Sequence, residues 1–154
     1  MNAIIYTKSD AEYEAFARML KAEIPGMEID RDPDDGQYHF EKPYDLVVDA
    51  LDGALGMEIA LGYRERYHRS MVIWITDDRY FVRMAIHSHI FDFHVRPVSE
   101  ETFLGSLRYF TSGEIEPWKL GDPRADWACG CTVQELAGMC PVIQRFLKDR
   151  EAAK

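Results

Sequence analysis

No stretch of this sequence approaches the ~20 consecutive apolar residues of a membrane span, so no membrane partner is expected. Cysteine is scarce. Cys129, Cys131 and Cys140 crowd together near the end, an odd number that gives no disulfide framework and fits a reducing compartment. Residues Met1 to Lys8 lack a basic region followed by an apolar one, which predicts no secretory signal and a cytoplasmic location. Basic residues are outnumbered 18 to 27, for a formal net charge of −9 and a pI near 5.0. Such a chain is poorly suited to holding a phosphate backbone, so no nucleic-acid partner is expected. The imbalance is uneven, because six basic and seven acidic residues lie from Thr111 onward. Glycine-rich phosphate loops and nucleophile–base pairs are also missing, and nothing here predicts an enzyme. Repeats and low-complexity segments are absent too.

What is present is a soluble-type composition, 47% apolar and 29% charged, in 154 residues. That length suits one ordinary domain with a short appendage. Ala3-Ile4-Ile5-Tyr6 is a short apolar run of the kind expected for a strand buried on both faces. Ser9 or Asp10 offers an N-cap, and Tyr13, Phe16, Ala17, Leu20 and Ile24 recur at helical spacing until Pro25-Gly26. Met27–Asp30 reads as a second strand, followed by turn chemistry at Asp32-Pro33-Asp34-Asp35-Gly36. Leu46-Val47-Val48 is a third buried run. A glycine-containing loop with Gly53 and Gly56 comes next, and then a helix led by Met57 that closes in the basic stretch Arg64 to Arg69. Met71–Ile75 is the clearest buried strand. Tyr80, Phe81, Met84 and Ala85 mark a helix, Phe91–Val95 a fifth strand, and Ser99-Glu100-Glu101 caps a helix carrying Phe103, Leu104, Leu107 and Phe110. Strands alternating with helices predict βαβ units. Five strands and five helices over residues 1–110 fit an α/β, flavodoxin-like, doubly wound parallel sheet of order 2-1-3-4-5. The functional crevice of such a sheet lies beyond the carboxyl ends of its strands, here at Thr7-Lys8, Asp49, Thr76-Asp77 and Arg96-Pro97.

Several stretches in the right order resemble the receiver domain of bacterial response regulators, over about residues 3–110. Tyr44-Asp45-Leu46-Val47-Val48-Asp49 resembles the family's third strand with its aspartate, and Gly56-Met57-Glu58 the start of the helix that follows. Val72–Thr76 resembles the fourth strand with its terminal hydroxyl. Ile90–Val98 resembles the Ala-Phe-Asp-Tyr-Leu-Leu-Lys-Pro-Val signature of the fifth. The resemblance implies a cytoplasmic signalling module of two-component systems. It makes Asp49 the phosphoacceptor candidate, and it places Lys8, Thr76, Phe93, Arg96 and Pro97 at the switch and crevice. A cis peptide at Arg96-Pro97 is implied as well. Register is ambiguous: counting forward from Tyr44-Asp45 puts the family aspartate at Ala50, whereas counting back from Gly56 puts it at Val48.

The departures point to a degenerate member. The family's acidic pair after the first strand, which holds magnesium, is Thr7-Lys8 here, and a lysine ammonium competes with a divalent ion. The family's lysine before proline is Arg96, which keeps the charge but not the donor shape. No cofactor is expected, except magnesium if phosphorylation is retained. In that case Asp10, Asp52 or Asp77 could supply ligands. Asp49, Lys8 and Arg96 then form either a phosphorylation site or a permanent ion-pair network in which Lys8 stands in for the metal. Thr76 either contacts a phosphoryl group or hydrogen-bonds the next turn. Phe93, lacking a hydroxyl, is expected to pack inward.

The leading expectation is therefore an atypical receiver acting through protein–protein contacts. The alternatives are a working phosphoacceptor that meets a histidine kinase, and a small ligand-binding domain or enzyme using the crevice. The expected contact surface, for a protein partner or a second copy, is the family's fourth helix, fifth strand and fifth helix: Tyr80, Phe81, Met84 and His87, with Phe93 and the helix after Ser99. His87, His89 and His94 lack a metal-ligand spacing and read as solvated or interface histidines. Cys129, Cys131 and Cys140 are one ligand short of a zinc site and read as small buried thiols. Residues 111–154 are expected to add a loop and two short helices about Pro141, with Trp118 and Trp127 anchoring them on the domain or on a partner.

Overall fold

A computed structural model describes residues 1–112. Expectations for Cys129, Cys131, Cys140, Trp118, Trp127 and the helices about Pro141 lie outside the described residues. The elements run β1 (Asn2–Tyr6), α1 (Asp10–Glu23), β2 (Glu28–Arg31), β3 (Leu46–Asp49), α2 (Gly53–Arg66), β4 (Met71–Thr76), a 3₁₀ turn (Arg79–Phe81), α3 (Val82–His87), β5 (Asp92–Val95) and α4 (Glu100–Ser112). All strand pairs are parallel and the order is β2-β1-β3-β4-β5, as the alternating pattern predicts.

Every residue of β3 and β4 is buried, because helices cover both faces and each strand must be apolar on both. Alternate side chains feed two layers. Ile5, Val48, Ile73 and Ile75 meet Phe16, Leu20, Phe103 and Leu107 of α1 and α4, where the Phe16 and Phe103 rings lie 4.5 Å apart. On the opposite face Ile4, Val47, Val72 and Trp74 meet Ile59, Ala60 and Tyr63 of α2 and Ala85 of α3.

Two expectations need correction. The described residues form four α-helices rather than five, because the β2–β3 crossover carries no helix. Pro33, Pro43 and the Asp-rich turn between them deny that segment helical hydrogen bonding. Aromatic packing covers the sheet in its place. Phe40 meets Tyr63 edge-on at 5.0 Å, and the loop carbonyl of His39 accepts from Tyr63 Oη at 2.9 Å and from Tyr6 Oη at 3.3 Å. Gly62 of α2 makes room, since a Cβ there would come within 2.5 Å of the Phe40 ring. The second correction concerns α2, which starts at Gly53 rather than at Met57. Gly56 lies inside it because the first turn presses on the end of β3, and a Cβ would stand 1.8 Å from the Leu51 carbonyl oxygen.

Candidate functional site

The carboxyl ends of the strands open onto a crevice of about 520 Å³, lined by Thr7, Lys8, Glu12, Ala50, Asp52 and Arg96 among others. Arg96 dominates it. The peptide bond from Arg96 to Pro97 is cis, as the resemblance implies, and Pro97 is exposed. The Arg96 guanidinium forks onto Glu12, with Nη1 on Oε2 and Nη2 on Oε1 at 3.0 Å. Its Nε donates to Asp52 Oδ1 at 3.0 Å, and Nη2 also donates to the Ala50 carbonyl at 2.6 Å. A planar guanidinium suits this grip because its donors are fixed in a fork that a lysine lacks. The bond to Glu12 and the nearby Asp52 hold its pKa above the usual arginine range.

Glu12 reaches the crevice for a local reason. Ser9 caps α1, its Oγ accepting from the Glu12 N–H at 3.2 Å. The Ser9–Glu12 spacing is that of a capping box, in which the glutamate would return to the Ser9 N–H. Thr7 takes that position, its Oγ1 accepting from Ser9 N at 3.2 Å while donating to Glu12 Oε1 at 2.7 Å. The carboxylate is thereby turned toward Arg96. Sequence reading missed Glu12, and the Ser-x-x-Glu pattern was the available signal. Asp52, raised only as a possible metal ligand, joins the clamp through one oxygen that also accepts from the Asp77 N–H at 3.0 Å.

Asp49 is not in the crevice. It is fully buried at the end of β3, on the α2 face, and Ala50 occupies the crevice position given by the forward count. Asp49 Oδ1 accepts one long hydrogen bond from Leu51 N at 3.4 Å, and Oδ2 has no partner among the described residues. Burial pushes its pKa well above the carboxylate range. The expected network of Asp49, Lys8 and Arg96 is thus corrected: Arg96 pairs with Glu12 and Asp52, and Lys8 is exposed with no ion pair among the described residues. The physical reason is strand alternation, which turns adjacent residues of β3 to opposite faces.

Thr76 is buried and serves the next turn. Its Oγ1 accepts from Asp78 N at 3.3 Å and lies 3.4 Å from Asp77 Oδ1, to which it donates. Phe93 is half-buried, its ring edge-on to Trp74 at 5.2 Å. Of the expected contact residues, Tyr80 is 77% exposed and His87 is exposed. Phe81 and Met84 are half-buried, Phe81 packing on Trp74 at 5.3 Å. His94 bonds Ser106 of α4 at 2.7 Å beside the buried Asp92, whereas His89 is buried.

Magnesium, which the fold implies, does not fit these residues. The crevice position just after β3 is Ala50, and the carboxylates of Glu12 and Asp52 are taken by a guanidinium. Asp10 is held by Arg31 at 2.6 Å. Among the described residues no group of three or more His, Cys, Asp or Glu is placed to hold a metal ion, and no helix is long and apolar enough to cross a membrane.

No protein-family model matches the sequence, and no curated protein matches it. Solved structures do. The response regulatory domain of mrkE from Klebsiella pneumoniae aligns with a TM-score of 0.61 at 20% identity, covering 73% of this chain and 96% of that one. Response regulator DrrB of Thermotoga maritima, an OmpR/PhoB homolog, aligns at 0.59 and 19% identity, covering 75% of this chain and 54% of its own. An atypical orphan response regulator with a phosphorylation-independent regulatory mechanism aligns at 0.57 and 14% identity, covering 75% and 99%. By strand order, crossover pattern and these likenesses, residues 1–112 have the fold of a response-regulator receiver domain.

Proposed function

We propose that this chain is a receiver-fold regulatory module that works through protein–protein contacts, its crevice held by an internal arginine instead of by metal and phosphate. The observation that carries the proposal is the Arg96 clamp on Glu12, Asp52 and the Ala50 carbonyl. Phosphoryl transfer to a carboxylate needs an accessible acceptor and a cation that neutralises the transferred group. Here the nearest β3 carboxylate is sealed from solvent, and the cation is already neutralised by two acids. The reading gives no enzymatic role, and makes neither magnesium nor a histidine kinase necessary.

The proposed contact face is α3, β5 and α4, with Tyr80 as its most exposed aromatic and Phe81, Met84 and His87 beside it. Tyrosine on such a face offers large contact area with one polar tip. The signalling role itself is drawn from the structural neighbours, whose names are those of response regulators.

The test is incubation of the full chain with acetyl phosphate and magnesium, read by intact mass. The expected spectrum shows no added phosphoryl group. A stoichiometric phosphoryl adduct that disappears in Asp49→Ala would establish the working phosphoacceptor instead.

A further inference from the structure

One row of side chains crosses the sheet just beneath the crevice. Strand register places Tyr6 beside Asp49, Asp49 beside Trp74 and Trp74 beside Phe93. Asp32 continues the row past β2, its N–H bonding the Ile5 carbonyl at 3.0 Å. Three buried polar atoms of this row have no partner among the described residues: Asp32 Oδ1, Asp49 Oδ2 and Trp74 Nε1. Buried polar atoms are nearly always satisfied, and leaving several unpaired at one level of a sheet is costly, so this row calls for a physical explanation.

The groups facing Asp49 decide which state is stable. Tyr6 faces it from β1, Asp32 from the end of β2, Trp74 from β4 and Asp52 from the following loop. α2 presents the backbone at Gly56 and Ala60. The basic groups of α2 are engaged elsewhere, Arg64 on the carbonyls of Ser88 and His68 and Arg66 over the Phe40 ring. No ion pair to Asp49 forms among the described residues, and Asp32 and Asp52 add negative potential. An ionised Asp49 is held by backbone N–H groups, Leu51 at 3.4 Å and Ala60 of α2, with no ion pair among the described residues, and burial outweighs them, whereas a protonated one buries as a neutral group.

We propose that Asp49 is a proton-operated latch on the crevice. Protonated, it stays sealed under α2 and keeps the Ala50–Asp52 segment in place. Ionised, it draws that segment toward solvent and loosens two of the contacts on Arg96. The coupling is short, because Ala50 carbonyl and Asp52 Oδ1 are one and three residues beyond Asp49 and both hold the guanidinium. This inference builds on the clamp geometry and not on the signalling reading.

The test uses the full chain labelled for NMR. The Asp49 side-chain carboxyl carbon is followed across pH, together with the amide exchange of Leu51 and Asp52. In wild type the carboxyl is expected to titrate above the range of exposed aspartates. The two amides are expected to lose protection over the same interval, beyond the base-catalysed rise seen at reference amides. Asp49→Asn, folded by circular dichroism, should show only the reference rise. An Asp49 that titrates with the exposed aspartates overturns the latch without any variant. So does unchanged protection while Asp49 ionises, or the same loss of protection in Asp49→Asn. Failure of the latch leaves the phosphate-independent reading to the mass experiment.

Discussion

A single guanidinium gathers one carboxylate from α1, another from the loop after β3 and a main-chain carbonyl from that loop, and each contact is charge-assisted. Truncation at Arg96 leaves Glu12 and Asp52 facing each other across the crevice without their cation. Such bonds are worth about 1.5–3 kcal/mol when buried, but Arg96 is 27% exposed and screened by solvent, so Arg96→Ala is expected to cost roughly 2 kcal/mol in total. Arg96→Lys keeps the charge and loses the fork, and about 1 kcal/mol should follow. Urea unfolding of the three proteins measures both, and equal loss in the two variants would contradict a role for the fork. Asp49 acts in the other direction. Its folded-state pKa is raised and its unfolded one is ordinary. The stability it contributes is therefore full below the ordinary aspartate pKa and is lost as pH rises through the folded value. Asp49→Asn is expected to be the more stable protein at neutral pH, with a thermal midpoint less dependent on pH than wild type. A pH profile parallel to that of wild type would contradict this assignment.

At the scale of elements, the helix missing between β2 and β3 is replaced by side chains that need particular neighbours. Tyr63 of α2 carries the replacement, donating to the His39 carbonyl and bonding Tyr6 Oη at 2.7 Å. Removing the Tyr63 hydroxyl takes away its bonds to the His39 carbonyl and to Tyr6 Oη and leaves the Tyr6–His39 bond in place, so Tyr63→Phe should cost about 1 kcal/mol in chemical unfolding. The glycines of α2 respond in order of what their Cβ would strike. Gly56→Ala drives a methyl into main chain at 1.8 Å, which cannot move without shifting the end of β3. Gly62→Ala meets only the Phe40 ring, which can turn. Gly56→Ala should therefore lose more than about 2 kcal/mol and Gly62→Ala less, and the reverse order in unfolding experiments would contradict the packing. These elements also mark what sequence could convey. The runs Ile4–Tyr6, Leu46–Val48 and Met71–Ile75 were readable as strands because burial on both faces leaves only apolar choices. The start of α2 was not, since Gly53 and Gly56 carry loop propensity and the close approach that requires Gly56 is tertiary. Glu12 and Arg96 are 84 positions apart, and nothing local to either announces the pair. Asp49 is one residue from the crevice position, and one residue of register changes the face of the sheet.

At the scale of the whole molecule, the receiver fold brings the carboxyl ends of five parallel strands together and leaves one crevice there. In this chain that crevice holds its own cation, fixed by the fold itself. On the function proposed above, a module built this way would present α3, β5 and α4 to a partner without needing phosphate. Titration of the isotope-labelled full chain with magnesium and then beryllofluoride, a phosphoryl mimic, tests this most directly. The amides of Lys8, Ala50, Asp52, Thr76 and Arg96 are expected to keep their positions throughout. Saturable movement of these signals that requires both reagents would contradict the claim that Arg96 has closed the site.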